Sequence, residues 1–350
     1  NLLEKGKVSV LFDGQFGSSG KGLFAAYLAQ HCPPDITSSN AAPNAGHTAV
    51  IGEKTIVTKH LPLSGVVGKV PIYLNAGARI NPDVLLEECR TYDVDPALVT
   101  IHPRAAVITA DDLKQEQNPA SSYAKIASTQ SGVGAAMVNK IRRCEGAVAE
   151  QSSTLAKNFN IARLDLNAEA AKGKTVLIEM PQGYGLGIDE GLAYPYCTSR
   201  PVTVPQALAD ANVHPHYFGK TLMCLRTFPI RVGNLMDEEG REIGHSGPFY
   251  PDSTELSWAD VGQPPEQTTN TQRVRRVATF SYDQYREVVA QSRPDTVFLN
   301  FANYCTQTEL ATLRKNMCDI YRPEHLFLGF GARVRDIIYD REWKSEHAKS

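Results

Sequence analysis

The stretch VSVLFDGQFGSSGKGLFAA, residues 8–26, reads as a buried strand, a glycine-dense turn and a helix that opens at Lys21. Val8, Val10, Leu11 and Phe12 suit a central strand, and Gly14, Gly17, Gly20 and Gly22 let the backbone approach a ligand closely. Backbone N–H groups at such a turn and at the helix N-terminus favour phosphate, and Lys21 adds a point charge. The run from Gly14 to Lys21 is not a standard P-loop. It is one residue too long, and Gly22 stands where that motif carries the magnesium-binding Ser or Thr. Alone, a glycine-rich turn can also be purely structural.

Outward from this stretch, short apolar runs at 72–74, 175–178, 221–225 and 296–299 alternate with helical patterns at 23–30, 82–92 and 205–211. Asn81-Pro82 supplies a cap followed by proline in the first helical turn. Such alternation predicts an α/β fold, with a mainly parallel central sheet flanked by helices. The 350 residues allow a large core, and no linker divides them, so a single domain over 1–350 is expected. The Gly/Pro/Ser/Thr-rich stretch 244–272 lacks periodicity and is expected to be a mobile substrate loop. The charged tail 344–350 is expected to fray. A formal net charge of -2 argues against a nucleic-acid coat and for small-molecule partners. The seven cysteines are odd in number and form no CxxC pair, which favours reduced thiols. No leader-like or membrane-length apolar run is present, so a cytoplasmic protein without membrane partners is expected.

A second motif, Asn44-Ala45-Gly46-His47-Thr48, follows the first. In order and spacing the pair resembles the adenylosuccinate synthetase family, whose members carry a GQWGDEGKGK-like loop and then NNAGHT. The resemblance implies a P-loop-NTPase-like fold, a Mg²⁺ cofactor and a homodimer. Its implied reaction has two steps: the purine 6-oxygen takes the γ-phosphoryl group of a nucleoside triphosphate, and the amino group of L-aspartate then displaces phosphate. Gly17, Ser19, Gly20, Lys21 and Gly22 would hold the triphosphate. Lys21 and His47 would act on the transferring group, with His47 as an acid. The Gly46 carbonyl and the Ser18 position would serve the metal, and Asn44 the mononucleotide.

Further segments extend the resemblance along the chain. Ser128-Thr129-Gln130-Ser131-Gly132-Val133-Gly134 resembles the family's nucleotide-phosphate loop, and Arg143, or Arg142, would reach that phosphate across the dimer. Gln182 and Thr198 lie in stretches similar to the family's GAQG and YPYVTSS elements and would contact the mononucleotide. Phe228–Gly233 matches a TRVG element. The run TTNTQRVRR, 268–276, resembles the family's TTGRRRR loop, and guanidinium groups grip carboxylates bidentately. It implies an L-aspartate site at Asn270, Thr271, Arg273 and Arg275, with Arg273 also near the nucleotide sugar.

Two departures bear on the substrates. Where the family has an aspartate that takes the N1 proton of IMP, this chain has Ser18, too weak a base at neutral pH. One reading is a catalytically silent protein. The other is guanine, whose 2-amino group a serine accommodates; hence GMP or dGMP. Where the family's TKLD-like segment binds the guanine of GTP, this chain has Asn300-Phe301-Ala302-Asn303. An amide suits the adenine edge, so ATP or dATP is expected as donor, with Phe301 against the base and Gly331 in the loop beyond it. Together these changes resemble the family's phage branch, the 2-aminoadenylosuccinate synthetases, which act on dGMP for diaminopurine synthesis. The alternative is IMP with GTP.

Overall fold

The computed structural model describes residues 1–268, 272–341 and 343. Asn270, Thr271 and the tail 344–350 lie outside the described residues. The centre is a ten-stranded sheet: β1 (Val8–Asp13), β2 (Ile36–Ser39), β3 (Ile72–Leu74), β4 (Val99–Ile101), β5 (Asn160–Ile161), β6 (Val176–Gly183), β7 (Phe218–Arg226), β8 (Thr296–Asn300), β9 (His325–Gly329) and β10 (Ile337–Tyr339). Their spatial order is β10-β9-β8-β7-β1-β6-β2-β3-β4-β5. Every neighbouring pair is parallel except β9 with β10.

β1 is buried along its whole length, and its side chains alternate between two cores. Leu11 joins the layer of helix α1 (Lys21–His31), where the ring of Phe24 lies 4.9 Å from that of Phe298. Val10 and Phe12 join the opposite layer, with Tyr285 and Val288 of the helix Tyr282–Ser292 and Met317 of the helix Gln307–Ile320. Helices on both faces of a parallel sheet are the expected α/β architecture.

β2, sequence Ile-Thr-Ser-Ser, has no apolar run, yet all four residues are buried. Its hydroxyls are used inside the sheet region: Ser39 Oγ donates to the Glu179 carbonyl (3.0 Å), and Ser38 Oγ accepts from Asn75 Nδ2 (3.1 Å). The stretch expected to be aperiodic carries local structure. Glu255–Leu256 pairs with Arg276–Ala278, which pairs with Ile230–Arg231, and Trp258–Val261 forms a helical turn closed by a Ser257/Asp260 capping box.

The C-terminal ends of β1, β6, β7 and β8 gather at one edge of the sheet. They deliver the glycine turn, Gln182, Arg226 and Asn300 to the same region, where open parallel sheets place ligands.

Candidate active site

The glycine turn is built around a carboxylate that no motif marks. Asp13, at the end of β1, accepts from the backbone N–H groups of Gln15 (2.8 Å), Gly17 (3.2 Å) and Ser19 (3.1 Å) and from the Ser19 hydroxyl. Burial pushes its pKa up, while these donors work in the opposite direction. The nest of amides is therefore filled by the protein's own anion. The first N–H groups of α1, from Lys21 onward, have no intrahelical acceptor, and Gly20, Lys21 and Gly22 border a cleft of about 840 Å³. The donors this segment leaves open to the cleft are thus at the helix start.

Ser18 has a left-handed backbone (φ 56°) and lines that cleft. Its carbonyl accepts from Arg226 Nη1 (3.1 Å), and among the described residues its hydroxyl has no hydrogen-bond partner. Lys21 and His47 are both buried beside it, with Lys21 Nζ 3.2 Å from His47 Nδ1. An ammonium can only donate, so Nδ1 accepts and the imidazole is neutral with its proton on Nε2. Burial, then the Lys21 charge, holds the His47 pKa well below its ordinary value. Burial likewise lowers that of Lys21. His47 is therefore placed as a neutral hydrogen-bond donor through Nε2–H.

The same cleft brings together Gly17, Ser19, Asn44, Gly46, Ser128, Thr129, Gln182, Thr198 and Arg275. Asn44 Oδ1 is buried with no partner among the described residues, and so is the hydroxyl of Ser199, a cleft residue that sequence reasoning passed over. The second Ser/Gly turn repeats the device of the first. Glu116 accepts from the N–H groups of Gly132 (2.8 Å), Gly134 (2.7 Å) and Ala135 (3.1 Å) at the start of α2 (Val133–Arg142). What that turn offers a phosphate is thus its Ser128 and Thr129 side, not the helix start.

Of the arginine run, Arg275 alone borders the cleft. Arg273 donates to the carbonyls of Gly233 (3.0 Å), Ala127 (2.9 Å) and Ser128 (3.1 Å), tying the run to the phosphate turn. Arg276 pairs with Glu255 at 2.7 Å. Arg275 pairs with Glu266 (2.8 Å), which also accepts from Arg226 Nη2 (2.6 Å) and the Tyr304 hydroxyl (2.9 Å). Arg226 and Glu266 are functional candidates that no local motif marks.

Several expected contacts lie elsewhere. Asn300 is buried between Gly20 and Gly329, where a Cβ on either glycine would fall 2.1 Å from its amide, and its Oδ1 accepts from the Phe301 N–H (2.9 Å). It is outside the main cleft, as are Asn303, exposed on the turn Ala302–Tyr304, and Gly331. Phe301, expected against the donor base, instead carries the Arg226 guanidinium 3.7 Å above its ring. Arg142 and Arg143 are exposed at the end of α2 and do not reach the cleft of their own chain. No helix among the described residues is long and apolar enough to cross a membrane.

Comparison with known proteins places this geometry. The adenylosuccinate synthetase family model matches residues 10–159 and 146–314. The N6-succino-2-amino-2'-deoxyadenylate synthase of Salmonella phage PMBT28 is 34% identical over 366 residues, covering 95% of this chain and 98% of that protein. The solved structure of cyanophage S-2L succinoaminodeoxyadenylate synthetase (PurZ), bound to dGMP and to dATP as an energy donor, superposes with a TM-score of 0.84 at 33% identity. It covers 97% of this chain and 99% of its own. Adenylosuccinate synthetase from Plasmodium falciparum shares the fold, with a TM-score of 0.76 at 18% identity over 96% of this chain and 100% of its own.

Proposed function

The chain belongs to the adenylosuccinate synthetase family, and from that premise we propose that it is a ligase joining dGMP to L-aspartate, driven by ATP or dATP. The product is N6-succino-2-amino-2'-deoxyadenylate. The observation that carries the choice of purine is Ser18, a small neutral residue lining the cleft whose hydroxyl has no hydrogen-bond partner among the described residues. It leaves room for a 2-amino group beside N1. The phage relatives and the S-2L structure with dGMP and dATP support the same reading.

In the first step O6 of the base attacks the γ-phosphorus, the bond to the β–γ bridging oxygen breaks, and the nucleoside diphosphate leaves. In the second, the aspartate amino nitrogen attacks C6 and inorganic phosphate departs with O6. Lys21 and the first amides of α1 hold the triphosphate. His47 Nε2–H donates to the charge that grows on the transferring oxygens. The proton from N1 leaves by way of the Ser18 hydroxyl to water or the donor phosphate. Asn44, Ser128, Thr129, Gln182, Thr198 and Arg273 serve the mononucleotide and its surroundings, and Arg275 grips L-aspartate. Asn300, Asn303 and Gly331 form the outer end of the donor site.

Mg²⁺ fits as cofactor: Ser18 and Gly46 both line the cleft, and the Ser18 hydroxyl and the Gly46 carbonyl would offer it hard oxygen donors. No cluster of three or more His, Cys, Asp or Glu able to hold a metal exists among the described residues. The remaining ligands would come from phosphate oxygens and water, and the ion would neutralise phosphate charge.

The active form is a homodimer. Val138, Ile141, Ile188 and Tyr194 make an apolar rim to the cleft, each 37% to 80% exposed. Arg143 at the end of that helix is free to enter a partner's cleft.

Phosphate release with ATP, Mg²⁺ and L-aspartate, comparing dGMP, GMP and IMP and weighing the product, tests the proposal. Turnover of dGMP is expected. Turnover of IMP alone would return the chain to ordinary adenylosuccinate synthesis.

A further inference from the structure

Arg226 is wholly buried and fixed on every side: Nε donates to the Phe228 carbonyl (3.0 Å), Nη1 to the Ser18 carbonyl, and its plane lies on Phe301. Glu266 is bound to this post through both carboxylate oxygens, Oε1 to Nη2 at 2.6 Å and Oε2 to Nη1 at 3.1 Å. The same Oε2 holds Nη1 of Arg275 at 2.8 Å, and the Arg275 N–H donates to the Glu266 carbonyl at 2.8 Å. One carboxylate thus serves two guanidinium groups, and the cluster of Arg226, Arg275 and Glu266 keeps a net single positive charge. Arg275 Nε is buried with no partner among the described residues. A guanidinium held at one Nη group still offers its Nε edge for a second, side-on carboxylate.

Resting on the reading that Arg275 grips L-aspartate, we propose that Glu266 is the positioning residue of the dicarboxylate site: it fixes Arg275 at Nη1 so that the Nε edge receives a substrate carboxylate. The post on which it hangs also holds the Ser18 carbonyl, so the amino-acid site and the glycine turn share one rigid support.

The test compares Glu266→Gln and Glu266→Asp with wild type, measuring KM and kcat for each substrate in turn. Glu266→Asp keeps a charge on Arg226 for folding, but its shorter side chain cannot span both arginines. Both variants are expected to raise KM for L-aspartate about tenfold, the size expected for a lost charge-assisted hydrogen bond. KM for dGMP and for ATP, and kcat at saturating aspartate, should stay within about twofold. In an Arg275→Ala background, Glu266→Asp should add less than about a further twofold, because the group it positions is gone. A fall in aspartate KM would show that Glu266 competes with substrate, and a joint rise in all three KM values would show a general scaffold role. Either overturns the proposal. Wild-type protein without aspartate-dependent phosphate release would strike the reading of the reaction itself, and this proposal with it.

Discussion

Lys21 Nζ and His47 Nδ1 face each other at 3.2 Å in a buried setting, so the Lys21 charge adds to burial in holding the His47 pKa down. Removing the ammonium leaves burial as the remaining cause of the low His47 pKa. Lys21→Met should therefore move the His47 pKa upward in an NMR titration. It should also lower kcat by about 100-fold or more, the usual loss for one donor to a developing oxyanion. An unchanged His47 titration would show that the contact carries no charge coupling.

Ser18 lets a carboxylate be placed where a base for N1 would be useful. Ser18→Asp is expected to bring turnover of IMP and to reduce that of dGMP by about tenfold or more, through crowding of the 2-amino group. Competition assays with both nucleotides measure the ratio. Retained dGMP preference would mean that the choice of purine is made elsewhere. Ser18→Ala with full dGMP activity would exclude the hydroxyl as a proton path.

His47 and His60 are both held neutral by burial, His60 with its pKa lowered to about 3 and its Nε2 accepting from the Asn81 N–H at 3.1 Å. Below the unfolded histidine pKa of about 6.5 the unfolded chain takes up protons that the folded chain refuses, so these groups weaken the fold as pH falls. Each contributes a slope of about 1.4 kcal/mol per pH unit below that point and none above neutrality. His60→Gln, which keeps an acceptor for Asn81, should show a shallower loss of stability between pH 6 and 5 in denaturant titrations. An identical slope would locate the acid sensitivity in other groups.

Arg143 lies outside its own cleft, at the foot of the apolar rim that includes Ile141, itself 66% exposed. Arg143→Ala and Lys21→Met chains should each be nearly inactive. Mixed after reversible dissociation, they should regain about a quarter of wild-type activity, since half the dimers are mixed and each then has one intact site. No recovery, with a dimer present by light scattering, would mean that Arg143 acts within its own chain or not at all.

The legible parts of this protein are those whose chemistry is local. The strand, glycine turn and helix of residues 8–26, and the Asn44–Thr48 motif, carry their meaning in adjacent residues, and the structure brings both to one cleft. β2 escaped because the hydroxyls of Ser38 and Ser39 are buried against Asn75 and the Glu179 carbonyl, far along the chain. Asp13 and Glu116 escaped for a related reason. A carboxylate that fills an amide nest looks the same in sequence as one on the surface. Arg226 and Glu266 meet only because β7 and the segment around Glu266 fold against each other, and no spacing rule records that.

Gly183 shows how closely those parts fit. At the end of β6 its φ is -120°, open to any residue, so only space can require glycine there. A Cβ would lie 2.4 Å from both the Gln15 carbonyl oxygen and the Gly17 nitrogen, and neither backbone atom can turn aside as a side chain would. The glycine turn would have to shift, and with it the Asp13 bonds that set the positions of Ser18 and Lys21. Gly183→Ala should cost about 1–3 kcal/mol in stability and raise KM for the triphosphate. Gly68→Ala is the control: its Cβ would meet only side-chain atoms at 3.7 Å or more, at the end of the helix Leu63–Gly68. That change should be neutral or stabilise by up to about 1 kcal/mol. Equal effects of the two substitutions in a denaturant titration would show that the turn yields readily, and that its contact with β6 does not hold the triphosphate site in place.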